Sequence, residues 1–512
     1  MTEQLLRLLV LAPSLVPLAL ALALPVAGRF LHSPRGYRFT MRGLLVVLLL
    51  AAVPLLPVAD IPRQTPLWTW ATSGDLVLQF GLTLETPSSP GYAPLSLTLM
   101  AAGILGIWSL MRLSASSGSG VVTVVPLCAI LLIIGGGQLA VQSLTPLGVV
   151  LGAGVVALGV LAVEMWGVYD RQDARGFGLL AVAVPILLLA MAALTETASS
   201  EPSPFWLAGC GLLLLTGPTR VALTRVPLLV HASAHALGLS TVGACLLAEY
   251  VLLHGPGFAA ATLLPWAAGA MLVLGAINVV TATSLRALLS AQWIAQLGLV
   301  LLVLGVAPTN AGLIYASIIN MVISTLVLSL LLGYLARVAG TEQIARLSAL
   351  PVSLRHSALP YGIAAAAVAG LPFTPGYTVR QSLSLAERPY LEPLLLACST
   401  LLLVGLVPPL VALVRRPVHR KVEPNPAEQG DGDMPLDEEP GWALPYAGLA
   451  QALAPLTPVP WRMLLGGLQA RREGATVGVQ ATSRNVARGP LLLVGIAVVL
   501  GAMMLAVVWA LG

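Results

Sequence analysis

Apolar runs of about twenty residues recur along almost the whole chain, separated by short polar connections. An α-helix rises about 1.5 Å per residue, so a run of about 20 apolar residues crosses the hydrocarbon core of a bilayer. On that rule the chain divides into roughly 14 membrane spans. They lie near 5–27, 43–59, 94–112, 120–141, 146–168, 176–194, 205–222, 226–252, 259–281, 286–306, 310–336, 357–380, 391–414 and 489–511. One stretch has a different period. From Asp75 to Glu85, Leu76, Leu78, Phe80, Leu82 and Leu84 alternate with other residues, which predicts a short external strand or hairpin.

The twelfth run is itself interrupted. Val368 to Arg380 reads VAGLPFTPGYTVR, and Gly370, Pro372, Pro375 and Gly376 together prevent a single continuous helix there. Irregular backbone at membrane depth is tolerated where it is buried in protein or lines a watery path, so this break marks a candidate ion route with Arg380 just beyond it. Pro218 predicts a second break, in the seventh run.

Composition agrees with the pattern. Of 512 residues, 57% are hydrophobic and 9% charged, with a mean hydropathy of +0.92; soluble domains carry about 25% charged residues. The chain is therefore an all-α polytopic membrane protein. Its net charge of +5 reads as positive-inside bias rather than as a nucleic-acid surface. Arg29, Arg35, Arg38 and Arg42 make the first connection cytoplasmic, while Asp60, Asp75 and Glu85 face Arg63 alone in the next. Alternation then puts Arg337, Arg346 and Arg355, and later Arg415, Arg416, Arg420 and Lys421, inside, with both termini external. The basic flank follows the first apolar run instead of preceding it, so that run is read as a span and not as a cleaved signal peptide. Cys128, Cys210, Cys245 and Cys398 all fall in spans without metal-ligand spacing, and read as buried thiols.

Few other polar groups enter the spans. Glu164 is an acid near the cytoplasmic end of the fifth, and reads either as a functional carboxylate or as a partner of Arg171 or Arg175. His231 and His235 are four residues apart and so share a helix face. They read as a proton relay step or, with equal weight, as bonded core imidazoles; no third ligand supports a metal. Arg286 stands at the start of the tenth span, and Ser290, Gln292 and Gln296 follow it into the apolar helix, where such residues bond to neighbouring helices.

Three stretches carry a resemblance. GLPFTPGYTVR at Gly370–Arg380, SLRALLSAQWIAQLG at Ser284–Gly298 and RVPLLVHA at Arg225–Ala232 resemble, in order and in placement, motifs of the antiporter-like subunits. That family is shared by respiratory complex I (NADH-quinone oxidoreductase), the Mrp sodium/proton antiporters and the membrane arms of energy-converting hydrogenases. The resemblance implies two inverted five-helix repeats, here 113–253 and 259–414, each with a broken helix lining a half-channel, after an N-terminal section 1–112. It puts Arg380 in the place of the second repeat's broken-helix lysine, Arg220 in that of the first, and His231 in that of the eighth-helix histidine. It also exposes departures. The fifth-helix glutamate falls near Ala153, and Asn320 and Ser324 stand where many members carry histidine and lysine. Lys421, the single lysine, lies outside the spans. Arginine stays charged, so Arg220 and Arg380 can bias neighbours but cannot hand on a proton.

After the thirteenth span the composition changes. Residues 415–488 are read as a charged, proline-rich cytoplasmic linker followed by an amphipathic helix, Trp461–Arg472, lying in the membrane interface or against a neighbour; 489–512 is the last span. The resemblance implies an integral subunit of a redox-driven proton-translocating complex in a bacterial cytoplasmic membrane. Its partners are the other subunits, lipid, and protons with sodium as a second candidate ion. It implies neither cofactor nor metal nor nucleic acid on this chain. Two readings stand beside it: a degenerate, non-conducting brace of the same kind of complex, and a stand-alone sodium/proton antiporter. An unrelated polytopic enzyme is disfavoured by the lack of a carboxylate cluster in the external loops.

Overall fold

The computed structural model describes residues 2–31, 34–55, 64–73, 76–83, 96–101, 103–104, 106–107, 124–143, 146–167, 183–192, 204–223, 238–254, 258–339, 341–349, 355–385 and 390–414. The helices are α1 (Thr2–Leu31), α2 (Pro34–Ala52), α3 (Val124–Gln142), α4 (Pro146–Gly167), α5 (Pro204–Leu223), α6 (Leu239–His254), α7 (Phe258–Thr281), α8 (Leu285–Val306), α9 (Ala311–Ala339), α10 (Arg355–Ala369), α11 (Pro375–Ser384) and α12 (Leu391–Val414). Helical residues also occur within 96–107 and at 183–192. Five of the described segments are long and apolar enough to cross a membrane, and seven shorter apolar helices accompany them. The chain is an integral membrane protein. Its expected fourteenth span, the linker and the Trp461–Arg472 helix lie outside the described residues.

The expected strand at 75–85 is half of a hairpin. Strand β1 (Gln64–Ser73) pairs antiparallel with β2 (Leu76–Thr83), from Ser73 opposite Leu76 to Gln64 opposite Thr83. The register slips between Pro66 and Trp68, as expected where a proline cannot donate to the ladder.

Helix α8 sits at the centre. It is buried along nearly its whole length and packs against α5, α7, α9 and α12. Its sequence explains that position: Ser290 and Gln296 are poorly placed against lipid but bond to groups on neighbouring helices. Ser284 caps α8, its side chain accepting from the Ala287 N–H at 3.2 Å. The segment after α9 is tied to the same corner. Leu285 N–H donates to Glu342 O at 2.8 Å, and Ile344 N–H to Thr283 O at 2.9 Å. Arg286 closes the corner as a fork on Glu342, Nε to Oε2 at 2.9 Å and Nη2 to Oε1 at 2.7 Å.

The eighth span was expected from 226; helix is described over Leu239–His254, and 224–237 lie outside the described residues. One expectation is corrected. Pro218 does not end its helix: α5 runs through it to Leu223.

Candidate functional site

The break between α10 and α11 organises the site. Gly370 adopts φ +71°, the left-handed conformation that closes a helix. Leu371 N–H donates back to Ala366 O at 2.9 Å and Gly370 N–H to Ala367 O at 3.3 Å. That pair of bonds is a Schellman cap. It leaves the Val368 carbonyl unserved, because the residue four positions on is Pro372, which has no N–H.

Two side chains from elsewhere supply the missing donor. Arg380, on α11, donates from Nη2 to Val368 O at 2.8 Å, and Gln296, on α8, donates from Nε2 at 3.0 Å. The guanidinium reaches further. Nη1 donates to Leu395 O at 3.2 Å and to Ser399 Oγ, both on α12. On the other side, Asn320 Nδ2 donates to Gln296 Oε1 at 3.2 Å, and Ser324 Oγ donates to Asn320 O. One hydrogen-bonded line thus runs from Ser399 through Arg380, Val368 O and Gln296 to Asn320 and Ser324.

Arg380 is only 6% exposed, and its acceptors are two carbonyls and a hydroxyl. A buried cation is here held by neutral oxygens. Gly370 makes room for it: a Cβ there would lie 2.6 Å from Arg380 Nε. Gly376 is needed for a second close approach, since a Cβ on it would overlap the Ala367 carbonyl. The turn between the two helices has Pro372 second and Phe373, at φ +67°, third, with Thr374 N–H bonded to Leu371 O at 3.3 Å. Those are the marks of a type II turn.

The first half carries a smaller defect. Pro218 cannot donate to Leu214 O, and Ser240 Oγ donates there instead at 2.8 Å while accepting from Gly217 N–H at 3.1 Å. Ser290 on α8 donates to Pro218 O at 2.9 Å, and Arg286 Nη1 donates to Val221 O at 3.4 Å. The expected break is therefore a proline accommodated inside a continuous helix, its lost bond replaced by a neighbouring serine. Through Ser290 and Gln296, α8 touches both irregular places.

The remaining expected residues are spread out. Arg220 lies on α5, two residues past Pro218, and Glu164 on α4, three residues before its end; the contacts of both side chains fall outside the described residues. His231 and His235 also lie outside them. Ala153, where the family resemblance expects a glutamate, is fully buried. Ser240, Ser399 and Glu342 were not singled out from the sequence. The first two carry the available signal, a hydroxyl in an apolar run. A further buried knot went unnoticed in the same way: Gln138 Nε2 donates to Ser96 O at 2.6 Å, and Gln142 Nε2 to Gln138 Oε1 at 2.9 Å.

No family model matches the chain. No curated protein matches its sequence either. Its fold is nevertheless shared by solved membrane complexes. A chain of the Mrp complex from Dietzia sp. DQ12-45-1b superposes with a TM-score of 0.65 at 16% identity, over 99% of this chain and 95% of that one. A chain of the membrane-bound sulfane sulfur reductase, an archaeal respiratory membrane complex, superposes with a TM-score of 0.60 at 14% identity, over 79% of this chain and 69% of that one. At these identities the likeness establishes the fold. That fold is consistent with the resemblance that the three sequence motifs carry.

Proposed function

Starting from a chain with the fold of Mrp-type membrane subunits, we propose that it is an antiporter-like integral subunit of a redox-driven proton-translocating complex. In this reading it contributes a pair of proton half-channels, one in each of the repeats 113–253 and 259–414, with both termini external. The observation that carries it is the buried line from Ser399 through Arg380 and Gln296 to Ser324. Polar side chains at membrane depth are costly and gather on ion and proton routes. Arg380 acts as a fixed positive charge that sets the protonation of neighbours, while His231, His235 and Glu164 are the candidate groups that take and release protons. Sodium is a second candidate ion. Electrons and their carriers belong to partner subunits.

A second reading is favoured by the same guanidinium. One bond of Arg380 repairs the backbone at the break and the others tie α11 to α12, which is what a non-conducting brace requires. Proton uptake into liposomes holding the purified complex separates the two, with wild type, Arg380→Ala and His231→Ala compared at matched assembly and redox turnover. A lower proton-to-electron ratio in either variant supports conduction. Equal ratios in all three assign the chain to bracing.

A further inference from the structure

Helix α2 has two unlike faces. Met41, Leu44, Leu48 and Ala51 are buried against the rest of the chain, whereas Phe39 is 82% exposed, Leu50 64% and Val46 55%. The exposed residues recur at intervals of seven and four, so they form one stripe along the helix. No described residue covers it.

At one end the stripe becomes charged. Arg42 lies on it, three residues after Phe39 and four before Val46; it is exposed and makes no hydrogen bond or ion pair among the described residues. Arg38 and Arg35 occupy the positions four and seven residues before Arg42, a spacing that returns to the same face of α2. The one acid in α1 and α2 is Glu3, at the far end of α1. These cations are therefore not balanced within the hairpin.

Their depth follows from the span. The second span is placed near 43–59, which puts Arg42 at the edge of the hydrocarbon. The headgroup layer adds about 5–8 Å on each side of that core, and four helical residues rise about 6 Å. Arg42 and Arg38 thus bracket the layer. Gly43 lies at the same level, and a Cβ on it would meet nothing within 4 Å, so the helix surface is open there.

An occupant of this face needs negative charge beside Arg42 and apolar surface along Val46 and Leu50. A free anion supplies the first part only. A helix from another subunit would need an acid at the hydrocarbon edge, where an ionised carboxylate is costly. A phospholipid with an anionic headgroup carries both parts, in that order, in its covalent structure. Basic residues next to a span attract such lipids, at about fivefold in binding for each arginine.

We propose that the exposed face of α2 is a binding site for an anionic phospholipid, with Arg42, Arg38 and Arg35 on its headgroup and Val46 and Leu50 against an acyl chain. The site depends on α2 crossing the membrane and not on proton conduction, so a wild-type complex that moves no protons leaves it standing.

A cryo-EM map of the purified complex in nanodiscs of phosphatidylcholine with a minor fraction of phosphatidylglycerol tests occupancy. It should show headgroup density beside Arg42 and chain density along Val46 and Leu50. Protein density on that face, or none at all, overturns the proposal. Native mass spectrometry of the delipidated complex titrated with phosphatidylglycerol tests the chemistry. Arg42→Gln should bind about fivefold more weakly than wild type, Arg42→Lys close to wild type, and Arg35→Gln, Arg38→Gln and Arg42→Gln combined should lose the preference over phosphatidylcholine. Equal binding of the two lipids by wild type, or unchanged binding in the combined variant, overturns it. Inorganic phosphate should not compete; competition makes the ligand a free anion and overturns the lipid assignment. If the glutamine variants fail to assemble, the wild-type map and the wild-type preference between the two lipids still decide.

Discussion

Ser240 stands in for the amide hydrogen that Pro218 lacks: its Oγ donates to Leu214 O at 2.8 Å, the carbonyl that position 218 would otherwise serve. The hydroxyl also accepts from Gly217 N–H, so one side chain on α6 makes two bonds to α5 beside the proline. Ser240→Ala leaves the buried Leu214 carbonyl without its donor. It should cost about 1–3 kcal/mol, read as a lower melting temperature in mild detergent. Thiol-reactive dye gives a convenient signal, because Cys210 on α5 and Cys245 on α6 are buried in the folded chain. Ser240→Thr should retain most of the stability.

Gly370 is fixed by conformation and by space together. Its left-handed backbone costs a non-glycine residue about 1–2 kcal/mol, and an added Cβ meets Arg380 at Cδ and Nε. Gly370→Ala should therefore destabilise by more than the backbone penalty alone and displace the guanidinium from Val368 O. Gly154→Ala is the control: nothing lies within 4 Å of a Cβ there, so the change should be neutral or stabilising by up to about 1 kcal/mol. Equal melting temperatures for the two variants would refute the argument.

Phe373 occupies the turn position at which glycine or asparagine is normally found, at φ +67°. Its ring is 96% exposed in the isolated chain, so little packing within the chain offsets the strain. Phe373→Asn should raise the melting temperature of the isolated chain, by roughly 1 kcal/mol of stability. If the same variant also weakens assembly of the complex, the ring is held in place by a neighbouring subunit or by lipid.

The Arg286–Glu342 fork joins the start of α8 to the segment after α9. Its side chains are 11% and 35% exposed, and solvent screening limits such a pair to about 0.2–1 kcal/mol. Glu342→Gln should be mild, and its effect should shrink as salt is raised. Arg286→Met should cost more, since it also removes the donor to Val221 O. A salt titration of both melting temperatures checks the difference.

Much of this was legible along the chain. Hydrophobic run length determined that the protein crosses a membrane and where most helices lie, because one bilayer thickness demands one helix length. The prolines and glycines of 370–376 determined that the twelfth run is broken, since a missing N–H and a left-handed φ are local properties of residues. Even the position of Arg380 beyond the break was local. What the tertiary structure alone decided is which groups repair the damage. Val368 O is orphaned by its own neighbour Pro372, but its donors come from 72 residues before it and 12 after it. At Pro218 the sequence predicted a break, and packing overruled it by bringing Ser240 to the open Leu214 carbonyl. Periodicity reports how a segment meets apolar surroundings, not which polar group a neighbouring helix presents. Hence Ser399 and Ser240 carried no more signal in the sequence than other hydroxyls in apolar runs.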